Sequence, residues 1–263
     1  MLRSMYSGIS GMNNMQTKLD TIGNNIANVN TFGFKKGRTT FKDMVSQQIA
    51  GASGPGGGLG GTNPRQVGLG SQLATIDTIH TQGSLQNTNR ELDLGISGDG
   101  YFRLGEGDNT FYSRAGNFYL DSEGNIVNSD GLYLLDDAGD IINIPPNSQS
   151  FSISQTGNVN VIDDEGVLDT VATISLAFFA NPEGLQKEGS NLYQVSANSG
   201  EPVVTTPGMD GTGTLVAGTL EMSNVDLSAE FTEMIVAQRA FQANTRIITT
   251  SDEILQELVN LKR

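Results

Sequence analysis

The 263-residue chain contains no cysteine and no tryptophan, and its one histidine is His80. Without cysteine there is no disulfide framework, no thiolate nucleophile, no thiolate zinc site and no Cys-ligated iron–sulfur cluster. A single histidine excludes His-rich metal sites and any two-histidine mechanism. Positive charge is scarce too: 15 Lys and Arg stand against 29 Asp and Glu, a formal net charge of −14. Bulk attraction to nucleic acid or to an anionic membrane surface is therefore not expected. Aromatic residues make up 6% of the chain, a poor supply for a sugar cleft. The longest apolar stretch, Val171 to Ala180, is interrupted by Thr173 and Ser175. It falls far short of the roughly 20 residues of a spanning helix, so no membrane insertion is expected. The amino-terminal SMYSGISGMNNM after Arg3 lacks the apolar core of a secretory signal peptide. The expectation is a cytosolic chain or one exported without a cleaved leader.

What the chain does have is pattern at both ends. From Leu2 to Val29 there is no proline, and apolar residues recur at spacings of three and four. Leu2, Met5, Ile9, Met12, Leu19 and Ile26 fall on one heptad seam, broken at Gln16 and Gly23. Met15, Ile22 and Val29 form a second stripe. This predicts a helix over 3–28. At the carboxyl end, Leu227, Phe231, Met234, Phe241, Ile248, Leu255 and Val259 form one stripe. Val236, Ala240, Ala243, Ile247, Ile254, Leu258 and Leu261 form another. Asp226 is the expected N-cap, Glu230 complements the positive helix end, and Lys262 and Arg263 the negative one. Two apolar stripes on one helix need two sets of neighbours. The amino-terminal helix covers one; the other is expected to be covered by another molecule, the alternative being burial within this chain's own globule.

Residues 75–222 read as all-β. Short alternating runs such as LDLGI (92–96), YFRL (101–104) and VNVI (159–162) are separated by turns such as Gly98-Asp99-Gly100 and Asp137-Ala138-Gly139-Asp140. Residues 171–180 read as a fully buried strand. The stretch GASGPGGGLGG (51–61) reads as a flexible linker, with Gly56, Gly57, Gly58 and Gly60 as its hinge. The expected fold is mixed α and β. Long N- and C-terminal helices pair as a coiled coil and accompany a central all-β, hairpin-rich domain. The expected division is a terminal helical polymerisation domain (1–30 and 226–263), an extended Gly-rich linker (31–74) and a β-rich outer domain (75–225). Charge is partitioned as well. Residues 1–42 hold six bases and one acid, whereas 99–170 hold thirteen acids and two bases, Arg103 and Arg114.

No catalytic constellation emerges. Gly56, Gly58 and Gly61 satisfy G-x-G-x-x-G, but no strand precedes them and no helical pattern follows. The acidic turns around Asp121 and Asp136 lack the calcium-loop spacing and serve as hairpin turns. His80 has no G-x-S-x-G partner. No cofactor, metal or enzymatic activity is expected.

The segment LDTIGNNIANVNTFGFKK (19–36) resembles the signature of bacterial flagellar rod and hook proteins. So does SNVDLSAEFTEMIVAQRAFQANTRIITTSDEILQELVNLKR (223–263), and RELDLGISGDGYFRL (90–104) and FYSRAGNFYLDSEGNIV (111–127) follow in order. The resemblance covers nearly the whole chain. It implies a structural, non-enzymatic subunit of the flagellum, located in hook or basal body, that assembles with itself into a helical polymer. It also implies contact with neighbouring axial proteins (rod, cap, junction) and passage through the flagellar type III export apparatus. Within that family the ending and the SNVDLS block lean towards a hook subunit of short form that transmits motor torque to the filament. A distal rod subunit is the alternative, favoured by the stretch 47–66 and by length. A soluble β-rich binding module is a more distant one. The expected assembly interface comprises Leu2, Met5, Ile9, Met12, Leu19, Ile26, Phe231, Met234, Phe241, Ile247, Ile248, Ile254, Leu255, Leu258 and Val259.

Overall fold

A computed structural model describes residues 2–54, 60–107, 109–164 and 166–261. The chain folds into two compact units built from interleaved segments. One, the helical unit, takes the chain up to Ala27, Gly37–Asp77 and everything from Asp226 on. The other, the β body, takes Asn28–Lys36 and Thr78–Val225.

In the helical unit, helix α1 (Leu2–Ala27) lies antiparallel to α2 (Leu227–Asn260). α2 starts where Asp226 accepts hydrogen bonds from the Ser228 and Ala229 N–H groups, as its sequence predicts. Its 34 residues span about 50 Å at 1.5 Å per residue. Lys262 and Arg263 lie outside the described residues. α1 ends in a turn in which the Thr31 N–H donates to the Asn28 carbonyl at 3.2 Å.

Residues 31–74, expected as an extended linker, divide between the units. The part up to Lys36 belongs to the β body, and strands fill much of the rest. Gly37–Asp43 pairs with Ser71–Thr78. Ser46–Ala50 pairs antiparallel with Arg65–Gly68, with Gln47 opposite Val67. A Ser53–Thr62 bridge extends that hairpin towards the glycine run. The β-branched threonines, isoleucine and valine in these stretches suit a pleated backbone. Of the expected hinge, Gly56, Gly57 and Gly58 lie outside the described residues. Gly60 is exposed, with open space where a side chain would go.

The largest sheet of the β body runs, among the described residues, in the order Gln186–Gly189, Leu192–Gln194, Asn109–Ser113, Tyr101–Glu106, Tyr133–Leu134, Ile126–Val127, Tyr119–Leu120. Leu176–Phe178 also pairs with Tyr101–Glu106 and carries Val203–Thr205 on its other side. A three-stranded meander of Ser150–Ile153, Asn158–Ile162 and Leu168–Thr173 stands apart from it. Alternation does what the sequence predicts: Val159 and Val161 are buried, while Asn158 and Asn160 stay partly accessible. Leu94, Phe102, Phe118, Ile126, Leu134 and Ile174 lie at the centre of the core, fully buried.

The expected buried strand over 171–180 is two strands. Val171 is exposed in the meander, and Leu176 is buried in the main sheet. The chain changes sheet at Ile174–Ser175. There the Ile174 N–H donates to Gly157 O, and the Ser175 hydroxyl donates to the Asp136 carbonyl at 2.9 Å.

Candidate assembly surface and a buried ion cluster

The seam between α1 and α2 mixes apolar side chains with small and polar ones. α1 turns Gly8, Asn14, Ile22 and Asn25 inward. A Cβ on Gly8 would sit 3.4 Å from Ile248, and one on Gly11 2.7 Å from the Asn244 amide. These glycines lower helix propensity but let α2 approach closely. Polar pairs fill the rest. Lys18 Nζ lies 2.8 Å from Glu233 Oε2. Asn25 Nδ2 donates to Glu230 Oε2 at 3.1 Å. Asn25 also exchanges two 2.9 Å hydrogen bonds with Gly37, which fixes where the chain returns as a strand. On α2 the inward positions are Glu230, Met234, Ala237, Phe241, Asn244, Ile248, Ser251 and Leu255, spaced alternately four and three apart.

This geometry places the expected interface residues in two groups. Met5, Met12, Leu19, Ile26, Met234, Phe241, Ile248 and Leu255 are half-buried beside or within the seam. Ile9, Phe231, Ile247, Ile254, Leu258 and Val259 are exposed, Phe231 by 50%, Ile247 by 42% and Val259 by 67%. For Leu2 only the backbone is described. Tyr6, Ile235 and Val236 extend the exposed apolar surface. Isolated exposed apolar residues are ordinary; rows of them along a helix face mark interaction surfaces.

The second feature lies wholly inside the β body and was not legible as a site. Lys35 and Glu221 are each 0% exposed, and their Nζ and Oε1 atoms are 2.6 Å apart. Arg114 Nη1 reaches Glu221 Oε2 at 3.1 Å, and the Gly83 N–H donates to Oε1 at 2.8 Å. Burial holds the Lys35 ammonium below its ordinary pKa, with Arg114 adding to the effect and Glu221 opposing it. The preceding Gly33 has φ +69°, and a Cβ there would overlap the Ala115 nitrogen and the Arg114 carbonyl carbon. Glycine is thus required for the 31–34 turn to lie against the body. Lys35 was visible only as half of a basic pair. Glu221 gave no signal, because its partner lies 186 residues away.

His80 belongs to this body rather than to a triad. Its Nδ1 lies 2.6 Å from the Tyr101 hydroxyl, and its ring packs edge-on against Tyr101 and Tyr193. Burial, then the charges of Lys35, Lys187 and Arg114, lower its pKa to about 4. Burial pushes the Tyr101 and Tyr193 phenols up. The acidic turns are held by local bonds: an Asp136 carboxylate oxygen accepts the Asp140 N–H, and one of Asp121 accepts the Ser122 N–H.

Three family models match the chain. They are "Flagella basal body rod protein" over residues 5–35, "Flagellar hook protein FlgE/F/G D1 domain" over 95–161 and "Flagellar basal body rod FlgEFG protein C-terminal" over 216–261. The flagellar basal-body rod protein FlgG of Bacillus subtilis is 62% identical over 264 residues, covering all of both chains. The FlgG of Borreliella burgdorferi is 40% identical over 272 residues, again covering both chains fully. The flagellar hook protein FlgE of the same organism is 32% identical over an alignment of 441 residues that spans both chains. With paired helices formed by its two ends, apolar rows exposed on them and end-to-end identity to such relatives, the chain belongs to the flagellar rod and hook axial protein family, structural components of the flagellum.

Proposed function

We propose that the chain is the distal rod subunit of the flagellar basal body, the alternative reading of the sequence rather than the hook reading placed first. The observation that carries this is the end-to-end match to a rod protein of nearly the same length: 62% identity over 264 residues. The matches to hook proteins need alignments of 441 and 463 residues, so those relatives carry insertions that this chain lacks. In this reading the exposed rows on α1 and α2, with Ile9, Phe231, Ile247, Ile254, Leu258 and Val259, are covered by neighbouring copies. The α1–α2 pair acts as a coiled-coil stave of an inner tube. The interface also includes Leu2, Met5, Met12, Leu19, Ile26, Met234, Phe241, Ile248 and Leu255, which brace the stave. Subunits reach the tip through the flagellar type III export apparatus and meet other axial proteins at either end of the rod.

The glycine stretch is a mechanical element in this reading. Replacing Gly56, Gly57, Gly58 and Gly60 with alanine reduces backbone freedom and is expected to change rod curvature or stiffness without unfolding the body. Electron microscopy of cells lacking the chain tests the assignment itself. A truncated rod is expected; a complete rod without a hook would return the assignment to the hook.

A further inference from the structure

The chain crosses the boundary of the β body four times: before Asn28, after Lys36, before Thr78 and after Val225. On the body side the last three are tied at one place. Asn224 Oδ1 accepts the Lys36 N–H at 2.8 Å, and Asn224 Nδ2 donates to the Ile79 carbonyl at 2.8 Å and the Thr81 carbonyl at 3.2 Å. The Ile79 N–H in turn donates to the Lys36 carbonyl at 2.9 Å. Three residues earlier, Glu221 repeats the pattern. Its carboxylate gathers Lys35 and the Gly83 N–H, its carbonyl accepts the Gly33 N–H at 2.8 Å, and Lys35 Nζ also donates to Thr81 O at 2.9 Å. Two side chains, Asn224 and Glu221, thus tie the last three of the four crossings together. Arg114, whose Nη2 donates to Gly98 O at 2.8 Å, anchors Glu221 to the sheet.

We propose that Glu221 and Asn224 form a load-bearing clamp. Force entering through α1 and leaving through α2 passes from residues 33–36 straight to 221–224. It bypasses the sheets between Ser84 and Leu220. The physical basis is the burial of the inner half. Charged partners shut away from water have no solvent competitor, so the bonds stay formed until several break together. Loose crossings would instead load the β body one strand at a time. The inference rests on the reading of the chain as a torque-carrying axial subunit, but its test needs no polymer.

The chain's lack of cysteine permits clean thiol handles. Asn13→Cys on α1 and Gln242→Cys on α2, both exposed, allow the full-length monomer to be pulled under constant load. After the helices part, the next rupture is expected to be that of the clamp. Asn224→Ala removes the bonds to Lys36, Ile79 and Thr81 and should raise the rate of that rupture about tenfold. Ile142→Val, a core change away from the clamp, should lower the thermal midpoint of the body without speeding that rupture. Equal rupture rates for the parent and Asn224→Ala, or equal acceleration by Ile142→Val, would overturn the clamp. Glu221→Gln offers a second reading if the monomer folds: faster rupture supports the clamp, an unchanged rate refutes it. None of these results bears on whether cells lacking the chain stop at the rod or at the hook.

Discussion

The β body and the helical unit treat apolar residues in opposite ways. The body collects them into one closed core from Leu92 to Leu215, with the aromatic cluster of Tyr101, Tyr112, Phe179 and Tyr193 beside it. The helical unit contributes two fully buried apolar side chains, Ile22 and Ala237, among the described residues, and leaves most of its large ones exposed. Its helices meet through glycine, asparagine and the Lys18–Glu233 ion pair beside half-buried Met234, Phe241, Ile248 and Leu255. Side-chain burial is the main favourable term in folding, so the body has the means to fold alone and the helical unit does not. Under the proposed function, the difference means that the exposed apolar pattern at the two ends is addressed to other molecules. In that reading the exposed rows on the outer faces of the helices stay available for them.

The largest effect should come from placing a charge in such a row. Ile247→Asp forfeits about 1.5–3 kcal/mol of burial per side chain and adds an unpaired buried charge in any assembly that covers it. Assembly is expected to be lost, as read by sedimentation and electron microscopy, while the melting transition of the body stays put. Gln242→Asp, at an exposed polar position, should assemble nearly as well as the parent. Normal assembly of Ile247→Asp would take that row out of the interface. A collapsed body transition would mean the helices are part of its core, and the contrast between the two units would fail.

A second variant attacks the contrast from the other side. Lys35→Ala strips one partner from a buried ion pair and leaves Glu221 with Arg114 and the Gly83 N–H. Breaking such pairs typically costs about 3–5 kcal/mol. The urea midpoint of the body should fall accordingly, although Lys35 lies in sequence next to the helical end. A change below about 1 kcal/mol would mean that the 28–36 segment is not integral to the body, against the typical cost of a broken buried pair.

How much of this was legible follows from what sequence patterns encode. Helix periodicity located α1 and α2 and the N-cap Asp226, because those are local rules. Alternation located Val159 and Val161. The inward side of α2 was legible, because Met234, Phe241, Ile248 and Leu255 of its first apolar stripe lie there, but that of α1 was not. Pattern reading assigns the most apolar stripe to the inside, whereas Gly8, Gly11 and Asn25 occupy it here and Ile9 does not. The Lys35–Glu221 pair was invisible because charge pairing across 186 residues leaves no periodic trace. The 37–77 strands were masked by the glycine run they enclose, whose composition favours a linker. The choice between rod and hook depended on insertions elsewhere in relatives, which a single sequence does not display.

A smaller effect is expected from acid, and it falls on the body alone. His80 is held neutral, its pKa lowered from 6.5 to about 4. A histidine with a depressed folded-state pKa contributes stability above its unfolded value, and that contribution is lost as pH falls from about 6.5 towards 4. By pH 5 the loss should be roughly 2 kcal/mol. Because His80 is the only histidine, its imidazole resonance can be followed without assignment. Titration near 6.5 in the folded protein, or an unchanged pH slope of stability in His80→Asn, would remove the effect.

The smallest effect sharpens the comparison within the helical unit. Asp226 accepts the Ser228 N–H at 2.9 Å and the Ala229 N–H at 3.4 Å. Asp226→Ala leaves both donors to water and removes a negative charge from the positive helix end, together worth about 1 kcal/mol. In the monomer this should appear as faster amide exchange at Ser228, Ala229 and the first turns of α2, with the protection of Val159 and Phe102 unchanged. The asymmetry is the informative part. A cap can stabilise only what is cooperatively linked to it, and the helical unit, poor in buried side chains, is expected to open without opening the body. If Asp226→Ala instead slows no exchange and speeds it evenly across the body, the two units unfold as one. The rows on α2 would then owe their exposure to chance packing within a single cooperative domain, not to a surface kept for other subunits.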